Sequence, residues 1–282
     1  MRSSPDLYGI ARPARPLRAV LIAASALLLA LGGCKTTNGD ITGSIGGSVA
    51  ELPASPDALQ QFSDVWGKKY EADPQNKFAA MNYARALREQ GRTAQAVAVL
   101  QGAVIKRPND LDLIGAYGKA LADNGRLKEA ADMLAKAHTP ERPNWSILSA
   151  QGTVADQLGD HVAAQEYYQA ALKIAPGDPV VLSNLGLSYA LSNQLPRADE
   201  ALREAAASPR ADKRVRQNFA LVLALQGKFA EAEGILRRDL SPAEATSNVA
   251  SIRGMIAQSN TWRDILKPGG GKPGKQAANL AK

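Results

Sequence analysis

The sequence repeats itself every 34 residues. Aligned on that shift, the chain falls into five segments starting at Lys77, Leu111, Trp145, Pro179 and Lys213, with no insertion between them. A strict period of this length means one supersecondary unit copied in tandem, each copy too small to bury its apolar face alone and therefore stacked on its neighbours. The eighth position of each segment holds Ala84, Gly118, Gly152, Gly186 and Ala220, and the twentieth holds Ala96, Ala130, Ala164, Ala198 and Ala232. Two antiparallel helices approach closely only where both present small side chains at the crossing, which is the physical use of such positions. Larger residues fill the space alongside: Leu87, Leu121, Ala155, Tyr189 and Leu223 at the eleventh position, Leu100, Leu134, Tyr168, Leu202 and Leu236 at the twenty-fourth. Between the two expected helices sit Gly91, Gly125, Gly159, Asn193 and Gly227, residues that tolerate the left-handed backbone of a helix end. With aromatic residues at only 5%, the composition favours many small helix contacts over one aromatic core.

This pattern resembles the tetratricopeptide repeat (TPR). The resemblance implies an all-α superhelical solenoid of about five helix-turn-helix repeats over 77–244, with the first helix of each pair lining an inner groove. The proline expected near each repeat's end is present as Pro108 and Pro176 but replaced by Arg142 and Arg210, with Pro140, Pro143 and Pro209 close by, so boundaries there are expected to shift. Repeat five departs further, with Arg216 at an otherwise apolar position and Asp239 where the others have Ala. Residues 55–73 read as one amphipathic capping helix carrying Phe62, Trp66 and Tyr70, the second half of a degenerate repeat. Residues 245–266 read as a C-terminal capping helix whose Val249, Ile252, Ile256 and Ile265 offer an apolar side to repeat five, and 267–282 as a solvated basic tail.

The N-terminus has a basic stretch, an apolar run over 19–31 and then Gly32, Gly33 and Cys34 before an abruptly polar sequence. A run of 13 residues is short of the roughly 20 a helix needs to cross the hydrocarbon core, so 1–33 reads as an export signal and not a permanent span. Leu31-Gly32-Gly33-Cys34 resembles the lipobox of bacterial lipoproteins, which implies acylation of Cys34 and durable attachment through two or three chains. In that family Lys35, not being Asp, implies transfer to the outer membrane. Residues 34–54, rich in Gly, Ser and Thr, are expected to be a flexible tether with a root-mean-square span of about 25 Å.

The formal charge of +7 is carried at the two ends: residues 1–33 hold four arginines against Asp6, and 267–282 hold four lysines and no acid. The body between is neutral on balance, which argues against nucleic acid as a partner. His138 and His161 are the only histidines, expected at a helix end and in a turn without a partner. No cysteine pair, metal-spaced cluster, nucleophile elbow or phosphate-binding loop appears, so the reading is of a non-enzyme with no cofactor, no metal and no small-molecule substrate.

In the TPR architecture, positions two, five, six, nine, twelve and thirteen face the groove. Asn82, Asn184 and Asn218 stand at position six, where an amide can both donate to and accept from an extended backbone. Arg85, Arg88 and Lys119 mark a basic early end; Val180, Leu187, Leu191, Leu221 and Leu225 mark an apolar late end. The expectation is that repeats four and five hold an apolar partner segment while the basic early repeats contact acids beside it, unless the C-terminal helix folds back over those leucines. Met81 and Arg85 stand where carboxylate-clamp TPR proteins carry Lys and Asn, so capture of a C-terminal carboxylate is not expected.

The stretch from Val215 through Glu233, followed by Arg238-Asp239-Leu240 and Asn248-Val249, resembles the last repeat and cap of the TadD family of tight adherence (Flp) pilus assembly proteins. That resemblance implies a pilotin or scaffold at the periplasmic face of the outer membrane, with the pilus secretin or another assembly component as protein partner. The other reading is a periplasmic adaptor that docks peptidoglycan hydrolases or proteases.

Overall fold

The computed structural model describes residues 49–265. The expected export signal, Cys34, residues 35–48 of the tether and the basic tail lie outside them. Among the described residues, 49–249 fall in one compact unit, which holds all five repeats, and 250–265 belong to a second. Among the described residues there are twelve helices, and the only β pairing is an isolated bridge between Thr139 and Arg142. Helix α1 is Pro56–Ala72. Five pairs follow: α2 (Lys77–Glu89) with α3 (Thr93–Lys106), α4 (Leu111–Asp123) with α5 (Leu127–Ala135), α6 (Trp145–Leu158) with α7 (His161–Ile174), α8 (Pro179–Leu191) with α9 (Leu195–Ala207), and α10 (Lys213–Leu225) with α11 (Phe229–Leu236). Helix α12, Pro242–Ile265, comes last.

The 34-residue period governs the caps. Each pair's first helix starts one residue after Asn76, Asp110, Asn144, Asp178 or Asp212, and each of these side chains accepts a hydrogen bond from a free backbone N–H of the first turn. Such a cap contributes about 1 kcal/mol relative to alanine. The same helices end in Schellman geometry: the N–H of Arg92, Arg126, Asp160, Gln194 and Lys228 donates to the carbonyl of Leu87, Leu121, Ala155, Tyr189 and Leu223. That closure needs a left-handed residue, supplied by Gly91, Gly125, Gly159 and Gly227, and in repeat four by Asn193 at φ 62°.

The five alanines at position twenty are all 0% exposed. Gly118, Gly152 and Gly186 are buried opposite the large position-twenty-four residue of their own repeat. A Cβ on Gly118 would stand 2.8 Å from Leu134 Cγ, on Gly152 2.6 Å from Tyr168 Cε1, and on Gly186 2.6 Å from Leu202 Cγ. These are closer than carbon atoms pack, so glycine there sets how near the two helices come.

First helices of consecutive repeats pack directly on one another (α2 with α4, α4 with α6, α6 with α8, α8 with α10), whereas consecutive second helices make at most marginal contact. Each second helix instead packs against the first helix of the next pair. The pairs therefore close up on the side of their first helices, and that side is concave.

Two expectations need correction. The tether does not run to residue 54: Val49 and Ala50 are half-buried, and Ala50 is hydrogen-bonded to α2. The last helix begins at Pro242, three residues before 245, because Ser241 and Glu244 form a reciprocal cap, Ser241 N–H to Glu244 Oε2 and Glu244 N–H to Ser241 Oγ. In repeat two the boundary shifts where Arg142 replaces the proline: the second helix is cut to nine residues, α5 ending at Ala135, and residues 136–144 run irregularly through Pro140 and Pro143, neither of which can donate to a helix. In repeat five the two irregular residues answer each other: Arg216 Nε and Nη2 reach the carboxylate of Asp239 at 2.6 Å each.

Candidate partner-binding groove

The residues expected to line the groove do not behave alike. Asn184 Nδ2 donates to Ser149 Oγ at 3.3 Å and Asn218 Nδ2 to Ser183 Oγ at 3.0 Å, each serine standing at position five of the preceding repeat. These amides tie first helix to first helix. No full repeat precedes Asn82, so it has no such serine, and its Oδ1 instead accepts the N–H of Ala50 at 3.0 Å. One turn along α2, Arg85 Nη1 donates to the carbonyl of the same Ala50 at 2.9 Å. Both main-chain groups of one non-helical residue are thus held by position-six and position-nine side chains. Beside this contact is a concavity lined by Val49, Phe78, Met81, Ala116, Lys119 and Ile147.

The basic early end is not a free cationic patch, contrary to expectation. Arg88 Nε lies 2.5 Å from Asp123, Lys77 Nζ lies 2.8 Å from Asp110 and 2.6 Å from Asp112, and Lys119 Nζ donates to Ser146 Oγ at 2.7 Å. Acids thus face Arg88 and Lys77 sideways along the stack, while Arg85 and Lys119 are engaged by the uncharged oxygens of Ala50 and Ser146. At the apolar late end Val180, Leu187, Leu191 and Leu225 are half-buried and form the accessible part. Leu221 is only 8% exposed, a core position that a partner cannot reach without rearrangement.

The histidines also differ from expectation, since each has a partner. His138 Nε2 lies 3.0 Å from Gln151 Oε1, and His161, the first residue of α7, places Nδ1 2.8 Å from Asp156 Oδ1. Asp156 Oδ1 also accepts from Ser188 Oγ at 2.8 Å, and its Oδ2 lies 3.2 Å from the hydroxyl of Tyr168. Serine, histidine and aspartate meet here, but both Ser188 and His161 are bonded to the carboxylate and no hydrogen bond joins them, so no imidazole is placed to take the serine proton. The knot is structural, fastening repeat three to α8 of repeat four.

Burial pushes the Asp156 carboxyl above its ordinary value of 3.8, outweighing the hydrogen bonds from His161, Ser188 and Tyr168. Because the folded form holds this proton to higher pH than the unfolded chain does, the group's contribution to stability falls as pH rises from about 3.8 through the raised value. Urea titrations of wild type and Asp156→Asn between pH 4 and 7 should therefore show the difference, wild type minus variant, declining with pH. A rising difference would mean that the ion pair and not burial sets this carboxyl.

Among the described residues no three of His, Cys, Asp and Glu lie together as a metal site, and no helix is long and apolar enough to cross a membrane. A concave helical stack whose inner face holds main chain of its own N-terminal segment defines the class, a repeat scaffold.

The repeats are tetratricopeptide repeats. Family models of that description match residues 56–110, 87–151, 146–178 and 220–238. Among curated proteins, the uncharacterized protein y4yS of Sinorhizobium fredii is 32% identical over 119 residues, 42% of this chain and 65% of that protein. Cellulose synthase operon protein C of Pseudomonas fluorescens is 30% identical over 130 residues, 46% of this chain and 10% of that protein. The chain thus spans less than two thirds of either relative. Among solved structures, PilW, titled a widely conserved type IV pilus biogenesis factor, superposes with a TM-score of 0.58 at 18% identity, covering 69% of this chain and 91% of PilW. Cut9 with Hcn1, titled an APC/C hetero-tetramer, gives 0.58 at 13% identity, covering 72% of this chain and 40% of that one. At these identities the likeness is one of fold.

Proposed function

We propose that this chain is a lipid-anchored TPR scaffold in the assembly of a tight adherence (Flp) pilus, acting as a pilotin at the periplasmic face of the outer membrane. The observation that carries the scaffold reading is the contact of Asn82 and Arg85 with both main-chain groups of Ala50, which is how such a groove would hold any non-helical protein segment. The pilus reading is supported by the resemblance of 215–249 to the TadD family, and the solved fold of PilW is compatible with it. In this reading a lipid on Cys34 keeps the groove near the membrane, and the groove raises the local concentration of an assembly component such as the secretin.

Photo-crosslinking from Leu187 or Leu191 in intact envelopes tests this. Secretin or another pilus component should be captured by the wild type and lost when Cys34→Ala releases the chain. Capture of wall hydrolases instead would keep the scaffold and discard the pilus. Undiminished capture by a folded Leu187→Asp/Leu191→Asp variant, crosslinked from Val180, would discard the late groove.

A further inference from the structure

The contact at Ala50 differs in kind from those between repeats, because the groove there holds a segment that belongs to no helix. The geometry points to Val49 and Ala50 as an intramolecular ligand that keeps the Asn82 and Arg85 clamp closed until an extended segment of a partner displaces it. The displacing segment presents its main chain to the clamp and a small or β-branched aliphatic side chain where Val49 sits. The inference deepens the scaffold reading and rests on it.

Three observations carry it. First, a residue in extended conformation turns its N–H and its C=O to the same side, so one helix face can take both. Asn82 Oδ1 and Arg85 Nη1, one turn apart on α2, do so for Ala50. Such a contact reads backbone and not side-chain identity, and a foreign chain can satisfy it equally well.

Second, Asn82 is fully buried, and its Nδ2 has no hydrogen-bond partner. A buried amide donor left unmatched is unfavourable, and the chain's own segment leaves it so. A partner that also brings a carbonyl to Nδ2 gains a hydrogen bond that Ala50 does not make.

Third, Ala50 lies only a few residues before Ser55, whose side chain caps α1. So short a link gives an effective concentration on the order of millimolar, enough for two hydrogen bonds and one apolar contact to exclude weakly held segments.

The test uses the purified full chain in detergent and a fluorescent peptide of its own residues 46–54. Ala50→Pro removes the N–H that Asn82 accepts, and Val49→Asp removes the apolar seat by a different route, so one can stand in if the other fails to fold. Either variant should bind the peptide at least tenfold more tightly than wild type, and adding Asn82→Ala should abolish the gain. Equal binding by wild type and both folded variants, or none by any of them, would overturn the inference and leave the segment a mere cap on α2, as would a gain that survives Asn82→Ala. The assay contains no envelope component, so its failure leaves the crosslinking result of the scaffold reading untouched.

Discussion

Replacing Gly152 with valine is expected to cost about 3 kcal/mol of unfolding free energy, the upper part of the range for overpacking a core. A Cβ at this position would stand 2.6 Å from Cε1 and 2.8 Å from Cζ of Tyr168. The ring cannot step aside: it is 2% exposed, and its hydroxyl lies 3.2 Å from both Thr153 Oγ1 and Asp156 Oδ2. Against this, valine's small advantage over glycine in a helix is worth only a few tenths of a kcal/mol. Chemical denaturation of the single and double variants checks the cause. Once Tyr168→Ala has opened the space, the same valine should cost at least ~1 kcal/mol less than it does alone. Gly234 provides the opposite sign. It lies in α11 with nothing within 4 Å of a built Cβ, so Gly234→Ala should stabilise by about 1 kcal/mol. A harmless valine at 152 would remove the close approach of α6 and α7 from the account.

Breaking the Arg216 and Asp239 pair should give the second largest effect, about 2 kcal/mol for Asp239→Ala. The two side chains are 19% and 15% exposed, so the pair lies between the surface case, worth under ~1 kcal/mol, and the buried case, where removing one partner costs about 3–5 kcal/mol. The loss comes mainly from leaving a desolvated guanidinium with Ala211 O as its remaining hydrogen-bond acceptor. The other repeats show the remedy. Where repeat five has Arg216 and Asp239, repeat four has Leu182 and Ala205, both buried. The double variant Arg216→Leu/Asp239→Ala should therefore unfold within about 1 kcal/mol of wild type, as other buried pairs do on apolar replacement. A double variant as weak as the single one would show that the guanidinium's other contact matters more than its charge.

The sequence by itself determined the repeat. A fixed interval between small residues is a steric statement that needs no coordinates, and the first residue of each repeat is the first residue of a helix. The caps were equally legible, since Asn76, Asp110, Asn144, Asp178 and Asp212 share one place in the period and cap by purely local chemistry. Being polar, they lie outside the apolar pattern that marks the helices. The fate of Asn184 and Asn218 could also have been read, from a serine 35 residues before each; Asn82 lacks one, with Gly47 at that distance.

What only tertiary structure decided is which of these side chains find a partner inside the chain. Ala50 meeting Asn82, Asp156 gathering His161 and Ser188, and Lys77 and Arg88 reaching acids along the stack all depend on how one helix is turned toward another. Periodicity says which face of a helix is turned inward, because that follows from 3.6 residues per turn. It does not say whether a charge on that face finds a partner within the chain or waits for one outside, because that depends on ångström-scale reach across an interface.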